Sequence, residues 1–124
     1  MQPSTESVQR LMEIGFLAAG SGQIKEANTI FAGIQSVRPD SELPMIGQAF
    51  VLMNTGKFPD AISTLQAALS KNPDSDLAMS FLGATLKLAG MSQAADNALQ
   101  QVIADGKDPA AIALAEAMAQ HQPA

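Results

Sequence analysis

Apolar and small residues in this chain recur three and four positions apart, the spacing that lines one face of an α-helix. Leu11, Ile14, Gly15 and Ala18 form one such stripe, and Met79, Leu82, Gly83 and Leu86 form another. Between them run stripes of a second kind: Ala27, Phe31, Ile34, then Ala61, Leu65, Ala68, then Ala95, Leu99, Val102. The pattern predicts an all-α chain with helices near 5–19, 23–37, 42–54, 58–71, 75–88, 92–105 and 109–120, with ends uncertain by about two to four residues.

The stripes repeat at a fixed interval. Gly22, Gly56 and Gly90 stand 34 apart, as do Ala27, Ala61 and Ala95, and Asp40, Asp74 and Asp108. Pro39 and Pro73 keep the interval, and "RPDSEL" at 38–43 resembles "NPDSDL" at 72–77. Gly15, Ala49 and Gly83 make a small-residue column; Phe31, Leu65 and Leu99 make a large apolar one. Such interlocking columns mark a structural repeat of two helices per unit. The recurrent glycine suits the C-terminus of each unit's first helix, because glycine tolerates positive φ. Asp and Ser after the prolines suit helix N-caps, and Asp108-Pro109 puts proline at a first helical position. The small column implies close approach within a pair, with Gly15, Ala49 and Gly83 expected against Ala27, Ala61 and Ala95. The last helix begins a fourth unit and stops; Ile112, Leu114 and Met118 are expected to cover the flank of the final pair.

These residues resemble the tetratricopeptide repeat, whose pattern runs W-x2-L-G-x2-Y, A-x3-F, P over 34 residues. Unit one supplies Leu11, Ile14-Gly15, Ala27, Phe31 and Pro39; unit two Met45, Ala49, Ala61, Leu65 and Pro73; unit three Met79, Leu82-Gly83, Ala95 and Leu99. The pattern's Trp becomes Leu or Met, its Tyr becomes Ala18, Leu52 and Leu86, and Lys107 stands at the third proline position. The resemblance implies an α-α superhelix of three helix pairs (about 8–41, 42–75 and 76–109) plus a capping helix (about 109–120) in one domain, 1–124. The short chain, its three units and the run "RPDSELPMIGQAFVLMNTGKFPDA" also resemble small chaperones of bacterial type III secretion systems. That likeness implies a bacterial, cytoplasmic protein that holds a needle subunit, together with a second small co-chaperone.

In the tetratricopeptide family the first helix of each pair lines the concave face. The resemblance therefore places Gln9, Met12, Phe16 and Ala19, then Leu43, Ile46, Phe50, Met53 and Asn54, then Leu77, Ser80, Ala84, Lys87 and Leu88 on that face. Such a groove is apolar with one cation, so it suits the apolar side of an amphipathic helix. A clamp for a peptide's terminal carboxylate is disfavoured, since Met12, Phe16 and Leu77 stand where the clamp needs polar and basic groups. Two other readings stay open: Met and Phe at helical spacing serve as core, or a second copy fills the groove in a self-associating adaptor. "LPMIGQAFVLM" at 43–53 is apolar on nearly every side, which fits a groove wall or a middle helix buried by neighbours.

Composition narrows the function classes. The 124 residues are 47 % apolar with 4 % aromatics, all Phe, and carry a net charge of −5. Seven Lys and Arg without a basic run argue against tight nucleic-acid binding, which needs clustered cations. The absence of cysteine excludes disulfides and suits a reducing compartment. "MQPSTESVQR" lacks the basic start and apolar run of a signal peptide, and no stretch is long enough to span a bilayer. No catalytic or metal set is expected, and no cofactor. His121 is the lone histidine in a polar tail, and Asp74 and Asp76 read as helix caps. Gly20-Ser21-Gly22 and Thr55-Gly56-Lys57-Phe58 lack the spacing of a phosphate loop.

Overall fold

The computed structural model describes residues 4–121. Seven helices follow in order: α1 Thr5–Gly20, α2 Ile24–Val37, α3 Leu43–Asn54, α4 Phe58–Lys71, α5 Asp76–Leu88, α6 Ser92–Asp105 and α7 Pro109–Ala119. Their bounds lie close to those expected from the periodicity. Residues 1–3 and 122–124 of the expected 1–124 domain lie outside the described residues.

The three glycines explain how each pair turns. Gly22, Gly56 and Gly90 have φ of 81°, 76° and 83°, a region that costs side-chain-bearing residues strain. In each turn the glycine N–H and the next residue's N–H donate back into the helix end. For the first turn these bonds are Gly22 N to Ala19 O (3.2 Å) and Gln23 N to Ala18 O (2.8 Å). Gly56–Lys57 and Gly90–Met91 repeat the arrangement, which is the Schellman motif that satisfies otherwise free carbonyls. Helix starts draw on short polar residues. Ser4, Ser75 and Asp108 each accept a backbone N–H from the first turn of α1, α5 and α7.

Adjacent helices pack in pairs, α1 with α2, α3 with α4 and α5 with α6, and each pair packs on the next. The first helices also touch one another in succession, α1 to α3, α3 to α5 and α5 to α7, whereas α2, α4 and α6 make no mutual contact among the described residues. A stack whose first helices crowd while its second helices spread is curved, with α1, α3 and α5 inside.

Buried apolar side chains follow the columns. Phe31, Leu65 and Leu99 have no exposed surface, and neither do Ala27, Ala61 and Ala95. The small column serves a different neighbour from the one expected. A β-carbon on Gly15 would lie 2.5 Å from Phe31 Cε1, and one on Gly83 would lie 2.6 Å from Leu99 Cδ2. The glycines thus admit the large residue one turn beyond the alanine. Gly47 faces the same Phe31 ring from α3, so one phenyl is pinned between two helices.

The last helix also packs differently from expectation. Its buried stripe is Ala111 and Ala115, with Ile112 and Met118 packed alongside; Leu114 is half-buried but is not among the side chains against this cluster. The approach is close because Ser80 Oγ donates to Ala111 O at 2.8 Å and Lys87 Nζ donates to Ala119 O at 3.0 Å. Only small side chains leave room for both bonds.

Asp76 ties this end together. Its Oδ2 accepts the backbone N–H groups of Lys107 (2.7 Å) and Asp108 (3.0 Å) in the turn before α7. The cap of α5 is Ser75, so Asp76, expected as a cap, stands instead at the first helical position and clamps the turn. The Lys107 N–H, then the Asp108 N–H, hold its carboxyl below the ordinary carboxylate range; partial burial opposes them and the Lys107 charge adds to them. A depressed folded-state value stabilises the fold above the unfolded carboxylate pKa, near ~3.9, and this contribution is lost as pH falls through the folded value. Asp76→Asn is accordingly expected to lower stability at pH 7 by about 1 kcal/mol, a figure reduced for solvent screening. Urea midpoints of the two proteins should converge as pH falls from 7 to 3; a constant gap would mean the carboxylate charge plays no part.

Candidate functional site: the aromatic inner face

The inner face is built on three phenyl rings from three different helices. Phe16 on α1 lies 5.3 Å from Phe50 on α3 and 5.9 Å from Phe81 on α5, ring centre to ring centre. Phe50 and Phe81 are 5.8 Å apart, edge to face, while Phe16 and Phe81 are stacked. Offset and edge contacts at these separations suit the ring quadrupole. The α1–α5 ring contact reaches across α3, so the curvature brings unit one against unit three. Phe16 also meets the buried Phe31 edge-on at 5.6 Å, which anchors the cluster to the core.

All three rings remain half-buried. Leu43, Met53 and Leu77 are half-buried beside them, and Leu88, at the end of α5, is 43 % exposed. Asn54 is exposed and donates from Nδ2 to Ala19 O at 3.4 Å, joining the ends of α1 and α3. Gln9 is exposed on α1.

Six of the residues expected on this face are buried rather than open to a partner. Met12 is 6 % exposed, Ile46 and Ser80 have no exposed surface, Ala84 is 2 % exposed and Lys87 8 %. Met12, Ile46 and Ser80 stand 34 apart and are all buried; in unit three the covering helix is shown directly, by the bonds from Ser80 and Lys87 to α7. The physical reason is that each first helix is overlapped by the next first helix in the stack. Part of its inward side is consumed there. Ala19, also expected inward, is 2 % exposed. The residue that sequence reasoning missed is Phe81. It stands 34 beyond Gly47, in a column where unit two carries no side chain, so the repeat pattern hides it.

The arrangement can hold an apolar surface and little else. The cation expected on this face, Lys87, donates from Nζ to the carbonyl end of α7. Among the described residues no group of three His, Cys, Asp or Glu is placed to hold a metal ion. Also among them, no helix is long and apolar enough to cross a membrane.

Solved structures with this architecture are helical-repeat domains. The type III secretion translocator chaperone SycD of Yersinia enterocolitica matches with a TM-score of 0.71 at 17 % identity, over 93 % of this chain and 87 % of that one. SycD in complex with a peptide of the translocator YopD matches at 0.64 and 17 %, over 93 % and 94 %. The first tetratricopeptide domain of Spaghetti, bound to an HSP90 peptide, matches at 0.68 and 18 %, over 97 % and 96 %. At these identities the likeness shows the fold, which is tetratricopeptide-like as the columns implied. No curated protein sequence matches the chain. A family profile does match, that of the coatomer epsilon subunit, over residues 14–119, from within α1 to the end of α7. The chain therefore belongs to the coatomer epsilon subunit family, in a tetratricopeptide-like fold.

Proposed function

We propose that the protein is a non-catalytic binding module that receives the apolar side of an amphipathic helix on its inner face. The observation that carries this reading is the half-buried cluster of Phe16, Phe50 and Phe81, flanked by Leu43, Met53 and Leu77. An apolar, ridged surface rewards apolar anchors at helical spacing. Met53 adds a pliant wall, since methionine adapts to irregular partners. Ser80 and Lys87, bonded to α7, and the buried Ala84 between them act in this reading as the support behind the face. An acidic peptide of the HSP90 kind is poorly matched, because Lys87 is engaged and nearly buried.

The finer reading is a bacterial cytoplasmic chaperone that shields a helical type III secretion subunit, of the needle type, before export. Its support is the sequence resemblance together with the shared architecture of SycD, a chaperone crystallised with a translocator peptide. A second reading is a scaffold subunit in a larger assembly, favoured by the coatomer epsilon match. Co-expression with a needle-type subunit followed by gel filtration tests the first. The wild type should co-elute with the subunit. Phe50→Glu should elute alone with its helical circular dichroism retained. Co-elution that survives the substitution would reject the inner face as the site.

A further inference from the structure

The stack of Phe16 on Phe81 is a contact that a helical repeat does not require. In such an array each unit touches its neighbours and no others. Here unit one reaches unit three through side chains. The two ring centres are 5.9 Å apart, yet no Cα of α1 lies within 8 Å of a Cα of α5. Nor is the contact dictated by the 34-residue interval. Phe16 falls in a column with Phe50 and Ala84, and Phe81 in a column with Glu13 and Gly47. Unit three thus carries its ring three residues earlier than units one and two, nearly one turn back along α5.

The bridge fills the space that a partner needs. A helix with its side chains is about 10–12 Å across. Phe16, Phe50 and Phe81 lie 5.3–5.9 Å from one another, so no helix passes between α1 and α5 at their level. The two bridging rings are held unequally. Phe16 meets the buried Phe31 edge-on at 5.6 Å and packs against the cores of units one and two. Phe81 packs against the core of unit two, and its ring neighbours, Phe16 and Phe50, are themselves half-buried.

We propose that the Phe16–Phe81 stack is a latch, closing the inner face in the empty protein and parting when a helix enters. The latch rests on the reading of the inner face as the binding site and adds its regulation. Unit one swings about its joint with unit two, where Gln48 Nε2 donates to Gln35 Oε1 at 3.1 Å and Asn54 Nδ2 to Ala19 O at 3.4 Å. The parted rings then grip the helix from either side. A stacked pair shifts an equilibrium by about 2- to 10-fold, which slows entry without forbidding it.

The chain has no cysteine, so Thr29→Cys on α2 and Gln100→Cys on α6 place two spin labels on the outer helices of units one and three. Both sites are exposed. Pulsed electron–electron double resonance reads the distance between them. The probe is a labelled helix of about 18 residues, five turns, with Leu on one face and Lys and Gln on the other. Saturating probe should lengthen the label distance in the otherwise wild-type protein. Phe81→Leu removes the stack and keeps an apolar group. With no probe present, it should show a longer distance or a second, longer population, with helical circular dichroism unchanged. Stopped-flow mixing separates latch from anchor. Phe81→Leu should associate with the probe about 2–10 times faster than wild type and also dissociate faster. A ring that serves as an anchor alone changes dissociation and leaves association where it was.

A label distance that saturating probe leaves unchanged overturns the latch, because the helix then rides on closed rings. So does unchanged association in Phe81→Leu, or an empty Phe81→Leu whose distance matches the wild type. If the probe binds neither protein, the reading of the inner face fails, and the distance in empty Phe81→Leu still decides the latch.

Discussion

Phe31→Ala is expected to lower the unfolding free energy by about 3–5 kcal/mol, the cost of emptying a large core site. Against a total of roughly 5–15 kcal/mol for a domain, that brings the protein near its threshold. The size of the effect follows from where the ring sits. Phe31 has no exposed surface and lies against Gly15 of its own pair and Gly47 of the next. It therefore joins two units as well as filling one. Gly47→Ala tests the same geometry from the other side. Alanine is the better helix former by about 1 kcal/mol, yet its methyl would be driven into the Phe31 ring. Overpacking of this kind costs about 1–3 kcal/mol, so the substitution should destabilise the wild type. In the Phe31→Ala background the methyl enters vacated space, and Gly47→Ala should become neutral or stabilising. Denaturant unfolding of the four proteins closes the cycle. Additivity within about 0.5 kcal/mol would mean that the ring is not held between the helices.

The second large effect concerns binding. Phe50→Ala is expected to weaken capture of an amphipathic helix by about 30-fold or more, since truncating a central aromatic anchor costs 2 kcal/mol or above. Phe50 touches both other rings of the inner face, so its loss removes an anchor and loosens its neighbours. Phe58→Ala is the matched control. That ring is also half-buried but lies on α4, one of the outer helices. Titration of one labelled amphipathic peptide into both variants separates the cases. Equal loss from Phe58→Ala would move the site off the inner face.

The comparison of sequence with structure is sharpest at particular residues. Helix ends were readable because glycine and proline punctuate the chain at a fixed interval: α4, Phe58–Lys71, and α6, Ser92–Asp105, span the ranges that the periodicity predicts. Phe16 and Phe50 were readable as a pair 34 apart. Phe81 was not, because a repeat reading compares equivalent positions and its equivalent is Gly47. Residue spacing places Ser80 and Lys87 on the inner face for the opposite reason. The repeat makes all first helices alike, whereas the overlap of one unit by the next depends on the rotation between units, which residue spacing does not carry. The exchange of Ala27 for Phe31 as the neighbour of Gly15 has the same origin, since helix spacing names the face and tertiary packing names the partner.

Fluorine NMR of the protein labelled with fluorophenylalanine tests the inner face most directly. The chain has five Phe residues, so every ring can be assigned by single substitution. On addition of an amphipathic helix, the resonances of Phe16, Phe50 and Phe81 should shift together and saturate at one affinity, while Phe58 on α4 stays in place. Saturable binding that moves Phe58 and leaves the three inner rings unchanged would contradict the account.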